Sequence, residues 1–425
     1  MITTPWAYFI EITLLIVVAG ALARILPKET RKYDVPLESL RGLLATSVLF
    51  CHAVMSYFYF QTGKWLPPAS TFYDYLGSGP VVLFFFLSGF LFWSKCIQRN
   101  GVGAYGAFLL ARIRRLVPTY YTSVAVIVLI VLAHTRFRLA VSPLKFAQEI
   151  APWLLFAPTQ TMNGYNTQSI NAGVTWTLFL EITFYLILPL LFLLFKGARV
   201  LIYVGLMGIG YRMIARHGAV LVLDAPIKKP GALIALLLIG FFGFGFGLGM
   251  VTAFLNVQCP QKWKLVLRQR RWTAIPLLCL GAPLFFKSVL YTPDEYLLLF
   301  IVFVFVVAGN DLFGLLSLPA VYLLGRISYS FYITHGIILF VVLRLLNSRI
   351  PIRTMMPLQY WSLVGVMGVC TVCFAVVLHF TVERRFMKPS THGNEVFPNL
   401  VLEKLDTREP ATADRCYPPE TFPRR

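Results

Sequence analysis

Three ionisable residues lie inside long apolar stretches of this sequence, and their types are suited to acid–base chemistry. His52 follows "LESLRGLLATSVLFC", Glu181 lies in "GVTWTLFLEITFYLILP" and His335 ends "GRISYSFYITH". An ionisable side chain in apolar surroundings is costly unless it is paired or used. A neutral imidazole is a competent general base, and a nearby carboxylate can orient its ring. Each of the three could instead be a hydrogen-bonded packing residue between helices.

Arginines at fixed spacings extend this pattern toward an anionic ligand. Arg41 precedes His52 by eleven residues, so in an α-helix both project from one face, about 16 Å apart along the axis. Arg112 and Arg115, in "ARIRRLVPTYY", are three apart and also share a face. The planar arginine fork suits phosphate particularly well. The spacing indicates an anionic cosubstrate that binds at the arginines and has its reactive end near His52. Alternatively, the arginines only anchor the cytoplasmic end of a membrane span, as basic residues commonly do.

The whole chain has the composition of an integral membrane protein. Its 425 residues are 58% hydrophobic and 13% charged, whereas soluble domains are about half apolar and about a quarter charged. The net charge of +20 does not indicate nucleic-acid binding, because Lys and Arg lie in short clusters between apolar runs. The cysteines follow neither a disulfide framework nor a zinc-binding spacing, so no metal is expected.

The apolar runs predict an all-α, polytopic transmembrane bundle of about eleven spans. The predicted spans are 7–26, 42–60, 79–94, 117–133, 174–195, 199–216, 231–255, 273–290, 295–309, 327–346 and 359–382. Residues 1–30 are interpreted as an extra, uncleaved transmembrane helix and residues 31–388 as a ten-helix membrane domain. Residues 389–425, rich in charge and proline, are predicted to be a disordered cytoplasmic tail.

The distribution of basic residues predicts the orientation of the bundle. Most of the 38 Lys and Arg residues fall on one side when the N-terminus is placed outside and the C-terminus in the cytoplasm, as the positive-inside rule favours. His379 then lies near the inner end of the last span and is expected to be interfacial. The segment 134–172 is expected to be a long polar loop outside.

Small residues predict where helices approach closely. In "GFFGFGFGLG", Gly243 and Gly247 are four apart, as are Gly245 and Gly249. This spacing is typical of tightly packed membrane helices. The pair Ser88 and Gly89 in a Phe-rich helix is interpreted in the same way, with admission of an apolar or thin part of a ligand as the alternative.

The residues alone leave three functions open. Transfer of a group from an anionic donor fits a buried base with arginines at the inner mouth. A proton-coupled exporter or flippase of a lipid-linked glycan also uses His, Glu and Arg within the membrane. The third alternative is a polar scaffold without catalysis.

Six motifs in order resemble those of the membrane acyltransferase-3 family, from about Pro36 to Lys388. They are "PLESLRGLLATSVLFCHAV", "GPVVLFFFLSGFLFWSK", "ARIRRLVPTYY", "GVTWTLFLEITFYLILP", "LGRISYSFYITHG" and "VERRF". Each motif alone is weak, whereas six in the correct order are specific.

The resemblance implies a role for each matching residue. The catalytic residues implied are His52, Glu181 and Arg41, and the pair implied in coenzyme A recognition is Arg112 and Arg115. The substrate-binding residues implied are Trp176, Tyr329, Tyr332 and His335. Either Glu181 or His335 is expected to orient His52 or to bind the acceptor, and His52 either takes a proton or carries the acyl group itself.

The resemblance also implies an activity and its partners. The family moves acyl groups, most often acetyl from acetyl-CoA, onto hydroxyls of sugars and related acceptors. The expected partners are acyl-CoA, a carbohydrate or lipid-linked saccharide acceptor and membrane lipids. Separately, the short loops favour a bacterial inner membrane, with a eukaryotic endomembrane as the alternative.

Overall fold

The structure is a bundle of α-helices with one small β-hairpin. The computed structural model of the protein describes residues 1–27, 34–224, 230–285 and 292–387, with the side chains of 213–242 and 293 left out. All of the described residues belong to one compact unit. The predicted tail, 389–425, lies outside them.

The elements follow one another as long helices joined by short ones. In chain order the first eight helices are α1 Pro5–Ile25, α2 Val35–Thr62, α3 Thr71–Gln98, α4 Tyr105–His134, α5 Pro143–Leu154, α6 Thr175–Phe195, α7 Arg199–Asp224 and α8 Pro230–Gln258. The others are α9 Gln261–Leu267, α10 Ala274–Gly281, α11 Pro293–Val307, α12 Pro319–Arg326, α13 Ser328–Asn347 and α14 Pro357–Leu378. Strands β1 Thr161–Met162 and β2 Tyr165–Asn166 pair antiparallel.

The predicted all-α membrane bundle is confirmed. Within the described part of the chain, α1, α2, α3, α4, α6, α13 and α14 with its extension to Phe386 are long and apolar enough to cross a membrane. These seven helices match the predicted spans 7–26, 42–60, 79–94, 117–133, 174–195, 327–346 and 359–382.

The other four predicted spans have less uniform counterparts. The spans 199–216 and 231–255 fall in α7 and α8. The span 295–309 corresponds to α11, which has only 15 residues. In the span 273–290 the structure describes the eight-residue α10 and a 3₁₀ turn, Ala282–Leu284. The count of eleven spans stays a prediction.

The segment 134–172 is more ordered than a polar loop. It contains the amphipathic helix α5 and the β1–β2 hairpin. Glu149 of α5 is buried, and its Oε2 accepts a hydrogen bond of 2.7 Å from the backbone N–H of Asn163. The Asn163 side chain in turn donates to the carbonyl of Arg138. Buried polar groups require such partners, so this segment has a defined fold.

Glycines at helix crossings fix the helices that carry the candidate residues. A Cβ on Gly42 would lie 2.4 Å from the backbone nitrogen of Gly325, and one on Gly325 would lie 2.0 Å from the carbonyl oxygen of Glu38. Because real Cβ atoms essentially never come so close, only glycine allows α2 and α12 to cross here. The crossing directly follows Arg41 in the chain and so sets its position.

A second close crossing joins α3 to α8. A Cβ on Gly89 would lie 2.1 Å from the carbonyl oxygen of Phe246, and one on Gly249 would lie 2.2 Å from that of Phe86. Gly243 and Gly247 instead face Tyr203 of α7. The predicted close packing of the glycine-rich segment is therefore confirmed, with alternate glycines facing two different helices.

The last membrane helix ends in a buried polar network. After α14 the chain forms a π-helical turn, His379–Glu383, and a short helix, Arg384–Phe386. Glu383 Oε2 lies 3.0 Å from Nδ1 of His379 and accepts a 2.9 Å hydrogen bond from Ser330 of α13. His379 is only 4% exposed, and its buried carboxylate partner is positioned by the π turn. That His379 lies near the membrane surface stays a prediction.

Candidate active site

A cleft lies between α2, α3, α4, α6 and α13, and its atom-free space, counted together with the open solvent at its mouth, is about 880 Å³. It runs along α3 from Val81 to Phe92, a rise of about 16 Å for eleven residues. Polar side chains on its wall are Arg41, Ser88, Arg112, Arg115, Thr177, Glu181, Tyr185, Ser328, Tyr329 and Tyr332. The remaining wall is formed by Val, Leu and Phe side chains. We call this space the arginine cleft.

Three arginines converge on the arginine cleft from two helices. Arg112 and Arg115 share one face of α4, and Arg41 comes from α2. The guanidinium of Arg112 lies 5.2 Å from the ring centre of Phe92. Its Nε is buried without a hydrogen-bond partner among the described residues. Arg41 makes a long contact of 3.5 Å with Glu38, one turn before it.

An unsatisfied buried donor on a cation favours an anionic ligand, because such a ligand would restore the lost hydrogen bonding. Three guanidinium groups share the cleft with the single carboxylate of Glu181. The cleft is therefore electropositive and can hold phosphate groups.

Glu181 of α6 belongs to the arginine cleft rather than to His52. Its Oε1 accepts hydrogen bonds from the hydroxyls of Tyr185, one turn further along α6, and Ser88 of α3. Of the two residues expected to orient His52, Glu181 does not contact it and His335 does. Tyr185 is a cleft residue that the sequence analysis missed as functional, and the four-residue spacing between Glu181 and Tyr185 on one helix face was the available signal. Ser88, named from the sequence as a position that could admit part of a ligand, lines the cleft.

Two tyrosines of α13 line the same cleft at different heights. The hydroxyl of Tyr329 donates a 2.7 Å hydrogen bond to the carbonyl of Leu116 on α4. The hydroxyl of Tyr332 lies 3.0 Å from that of Thr177 on α6. The Tyr332 ring also packs 5.9 Å from the ring of His335. Tyr332 therefore stands between the cleft and the histidines.

His52 and His335 form a direct pair between α2 and α13. Nδ1 of His52 lies 2.8 Å from Nε2 of His335. The two rings are inclined by only 15°, so they meet edge to edge through an N–H···N hydrogen bond. His335 is fully buried, whereas His52 retains some exposed surface. Neither histidine lines the arginine cleft.

The second nitrogen of each histidine decides what the pair can do. Nδ1 of His335 is buried without a hydrogen bond, close to the backbone carbonyls of the preceding turn. Among the described residues, no group bonds to Nε2 of His52. If His335 carries its proton on Nδ1, His52 donates through Nδ1 and presents a free lone pair on Nε2. That tautomer makes His52 a general base held by a second imidazole.

The predicted site residues thus divide into three groups. Arg41, Arg112, Arg115, Glu181, Tyr329 and Tyr332 line the arginine cleft. His52 and His335 form the pair beyond Tyr332. Trp176 belongs to neither, because it is partly buried against the apolar core, with its ring 6.4 Å from that of Phe85.

Comparison with known families identifies the family of this chain. A family model described as an acyltransferase domain matches residues 35–380. The chain therefore belongs to the membrane acyltransferase-3 family, and it is a multi-pass membrane acyltransferase. No curated protein and no solved structure gives a significant match to it. The match begins at the start of α2, so α1 lies outside the shared region.

Proposed function

We propose that this protein is an O-acyltransferase that moves an acetyl group from acetyl-CoA to a hydroxyl of a cell-surface glycan or a lipid-linked saccharide. The observation that carries the proposal is the arrangement of the arginine cleft, which has three guanidinium groups and reaches Tyr332 beside the His52–His335 pair. The family match favours acyl transfer over export, since the matching model describes an acyltransferase domain. The arginine end faces the cytoplasm of a bacterial inner membrane, as the positive-inside rule favours.

The donor enters the arginine cleft from its cationic end. The phosphates of coenzyme A bind at Arg112 and Arg115, with Arg41 beside them, because charge-assisted bonds to a planar fork are strong and directional. The pantetheine arm follows the apolar wall formed by Phe84, Phe85 and other α3 residues. The thioester then lies toward Tyr332.

Transfer takes place where the donor and the acceptor meet beside His52. Nε2 of His52 takes the proton of the acceptor hydroxyl, and the oxygen attacks the thioester carbonyl carbon. The carbon–sulfur bond breaks, and His52 gives the proton to the departing sulfur, so that coenzyme A leaves as the free thiol and His52 is neutral again. His335 accepts the Nδ1–H bond of His52 and stabilises the imidazolium between the two steps, as the third member of a triad does.

The ring of Tyr332 has to move during this reaction, because it lies between the cleft and the histidine pair. The bond between Tyr332 and Thr177 holds the ring in its observed position. We infer that this bond keeps the thioester separated from the histidines in the observed conformation. A covalent route, in which His52 carries the acetyl group, uses the same residues and requires the same passage.

The decisive test uses purified protein in lipid nanodiscs with acetyl-CoA labelled in the acetyl group. With candidate saccharides present, we expect stoichiometric release of free coenzyme A and appearance of acetylated saccharide. Label retained on the protein with the donor alone, and released on adding the acceptor, identifies the covalent route. Saccharide movement across the membrane without coenzyme A release would overturn the proposal in favour of an exporter.

A further inference from the structure

The surface of His52 that faces away from the arginine cleft is bordered by Trp65. Trp65 lies in the short connection between α2 and α3, and its ring is 6.2 Å from that of His52. The two ring planes are inclined by 29°. Trp65 is partly exposed, so part of its indole remains available to a ligand.

Trp65 belongs to a larger group of rings at this end of the bundle. Tyr59 packs edge-on against Trp65, with centroids 5.9 Å apart. His134 lies 4.7 Å from Tyr165 and 6.3 Å from Phe340. Helix α13 connects the two ring pairs, because Phe340 follows His335 by five residues and Arg344, one turn after Phe340, lies on the same helix face. We call Tyr59, Trp65, His134, Tyr165 and Phe340 the aromatic cluster.

The ordered segment 134–172 fixes one side of the aromatic cluster. Tyr165 is in strand β2, and Asn163 of the hairpin turn bonds to residues before α5. At the end of the segment, a Cβ on Gly336 would lie 2.4 Å from the carbonyl carbon of Asn171. The segment therefore rests on α13 immediately beside His335. A ligand at the aromatic cluster meets a rigid surface that is tied to the histidine pair.

The chemistry of the aromatic cluster suits a sugar better than a lipid chain. Tyr, Trp and His combine an apolar ring face with a hydrogen-bonding edge. A pyranose ring has the complementary pattern, with an apolar C–H face and hydroxyls around its rim. Aromatic belts at membrane surfaces use the same residue types, but here Trp65 contacts His52 and Tyr59, and His134 contacts Tyr165 and Phe340.

Basic residues outnumber acidic ones in the connections at this end of the bundle, where Asp74 lies in the first turn of α3. The exposed Lys and Arg residues in the connections at this end, and at the end of α13, are Lys64, Arg136, Arg138, Lys145, Arg344, Arg349 and Arg353. In the segments 63–70, 135–174 and 348–356 the sole carboxylate is Glu149, whose Oε2 is already bonded to Asn163. Basic residues are disfavoured on the outer side of a membrane protein. Their number at this end therefore indicates an anionic partner.

We propose that the aromatic cluster binds the acceptor, and that this acceptor is a saccharide carrying a negative charge. A sugar ring packs on Trp65, and Arg344 attracts the carboxylate or phosphate group. Because Trp65 borders His52, a hydroxyl of the packed ring comes within reach of His52 Nε2. This inference rests on the proposed acyl transfer for its purpose, but the binding itself can be measured without acyl-CoA.

The test measures direct binding of two saccharides of equal length, an oligomer of glucose and an oligomer of glucuronic acid, to the full-length protein in nanodiscs. We expect the acidic oligomer to bind about tenfold more tightly than the neutral one. Trp65→Ala should weaken both about tenfold, whereas Trp6→Ala, which removes an exposed indole of α1, should change neither. Arg344→Ala should abolish the preference for the acidic oligomer, and Arg349→Ala should retain it.

The possible outcomes separate this inference from the proposed function. Equal binding of the two oligomers by the native protein, or equal effects of Trp65→Ala and Trp6→Ala, would overturn the acceptor site. An unchanged thermal shift by acetyl-CoA in each variant shows that the fold and the arginine cleft are intact. Release of coenzyme A in the presence of any acceptor tests the proposed function separately, independently of the result of the binding experiment.

Discussion

The arginine cleft and the aromatic cluster lie on opposite sides of the His52–His335 pair and differ in almost every respect. The arginine cleft is a deep slot between five helices, apolar except for three arginines, one glutamate and a few hydroxyls. The aromatic cluster is a shallow group of rings built partly from connecting segments. A slot of this kind fits a long, flexible, anionic molecule, and a rigid group of rings fits a cyclic one.

The difference explains how one membrane protein could join two unlike substrates. Each side has its own recognition chemistry, and His335 and Tyr332 connect them. If the comparison is correct, variants on one side change affinity for one substrate only. Variants between the two sides change the rate of transfer and neither affinity.

The largest effect is expected for His52→Ala. Removing the general base should lower kcat about 10²- to 10⁴-fold, because proton abstraction from the acceptor hydroxyl is lost. His335→Ala should have a smaller effect, since His335 acts through His52. Coenzyme A release measures kcat, and the thermal shift by acetyl-CoA measures donor binding.

Donor binding should stay unchanged in both histidine variants. Native rates of acetylation in His52→Ala would contradict every mechanism in which this residue takes a proton or an acetyl group. Weaker donor binding in His52→Ala would instead show that His52 contributes to the donor site, which contradicts the separation of the arginine cleft from the histidine pair.

An intermediate effect is expected for Arg112→Ala and Arg115→Ala. Loss of a charge-assisted hydrogen bond of roughly 1.5–3 kcal/mol should raise the KM for acetyl-CoA roughly ten- to a hundredfold. The KM for the saccharide should not change. Arg114→Ala is the matched control, because Arg114 lies between them on α4 but does not line the arginine cleft.

Steady-state kinetics with each substrate varied in turn checks this prediction. Equal increases in donor KM for Arg114→Ala and Arg112→Ala would contradict specific phosphate binding. They would show that these arginines act only as basic anchors at the membrane surface. Arg112→Lys keeps the charge without the planar fork and should recover only part of the lost affinity.

The smallest effect is expected for Tyr332→Phe. The change removes the hydroxyl bonded to Thr177 and should lower the efficiency of transfer roughly three- to tenfold, in line with about 1 kcal/mol for a neutral hydrogen bond. Hydrolysis of acetyl-CoA without acceptor should rise, because the ring is no longer held between cleft and histidines.

Thr177→Val supplies the partner change for Tyr332→Phe. If the two hydroxyls act through their shared bond, the double variant should be no worse than either single variant. Additive losses in transfer and unchanged hydrolysis would show that Tyr332 does not separate the two sides.

Much of the fold could be predicted from apolar runs alone. Seven long helices agree with predicted spans, because a membrane requires continuous apolar helices and excludes other backbone structure. The structures of the segments 134–172 and 273–290 could not be predicted from hydropathy, because both consist of short elements. In the first of them the elements depend on buried hydrogen bonds such as that from Asn163 to Glu149.

The candidate residues were also found from the sequence, but their grouping was not. Arg41 and His52 were predicted to share a helix face, since the helical period fixes that geometry. Helical period cannot say which residues on other helices they meet. Glu181 was an equal candidate to orient His52, yet it bonds to Tyr185 and Ser88.

The sequence by itself determined that this is a helical membrane protein of the acyltransferase-3 family, with a base, a carboxylate and arginines at set positions along its helices. These features depend on composition, periodicity and motif order, which are local. Only the tertiary structure decided that His335 is the partner of His52, that Tyr332 stands between the pair and the arginine cleft, and that Trp65 borders the other side. Those contacts join residues up to 283 positions apart, and they arise from helix crossings such as Gly42 with Gly325, where removing one methyl group lets backbones meet.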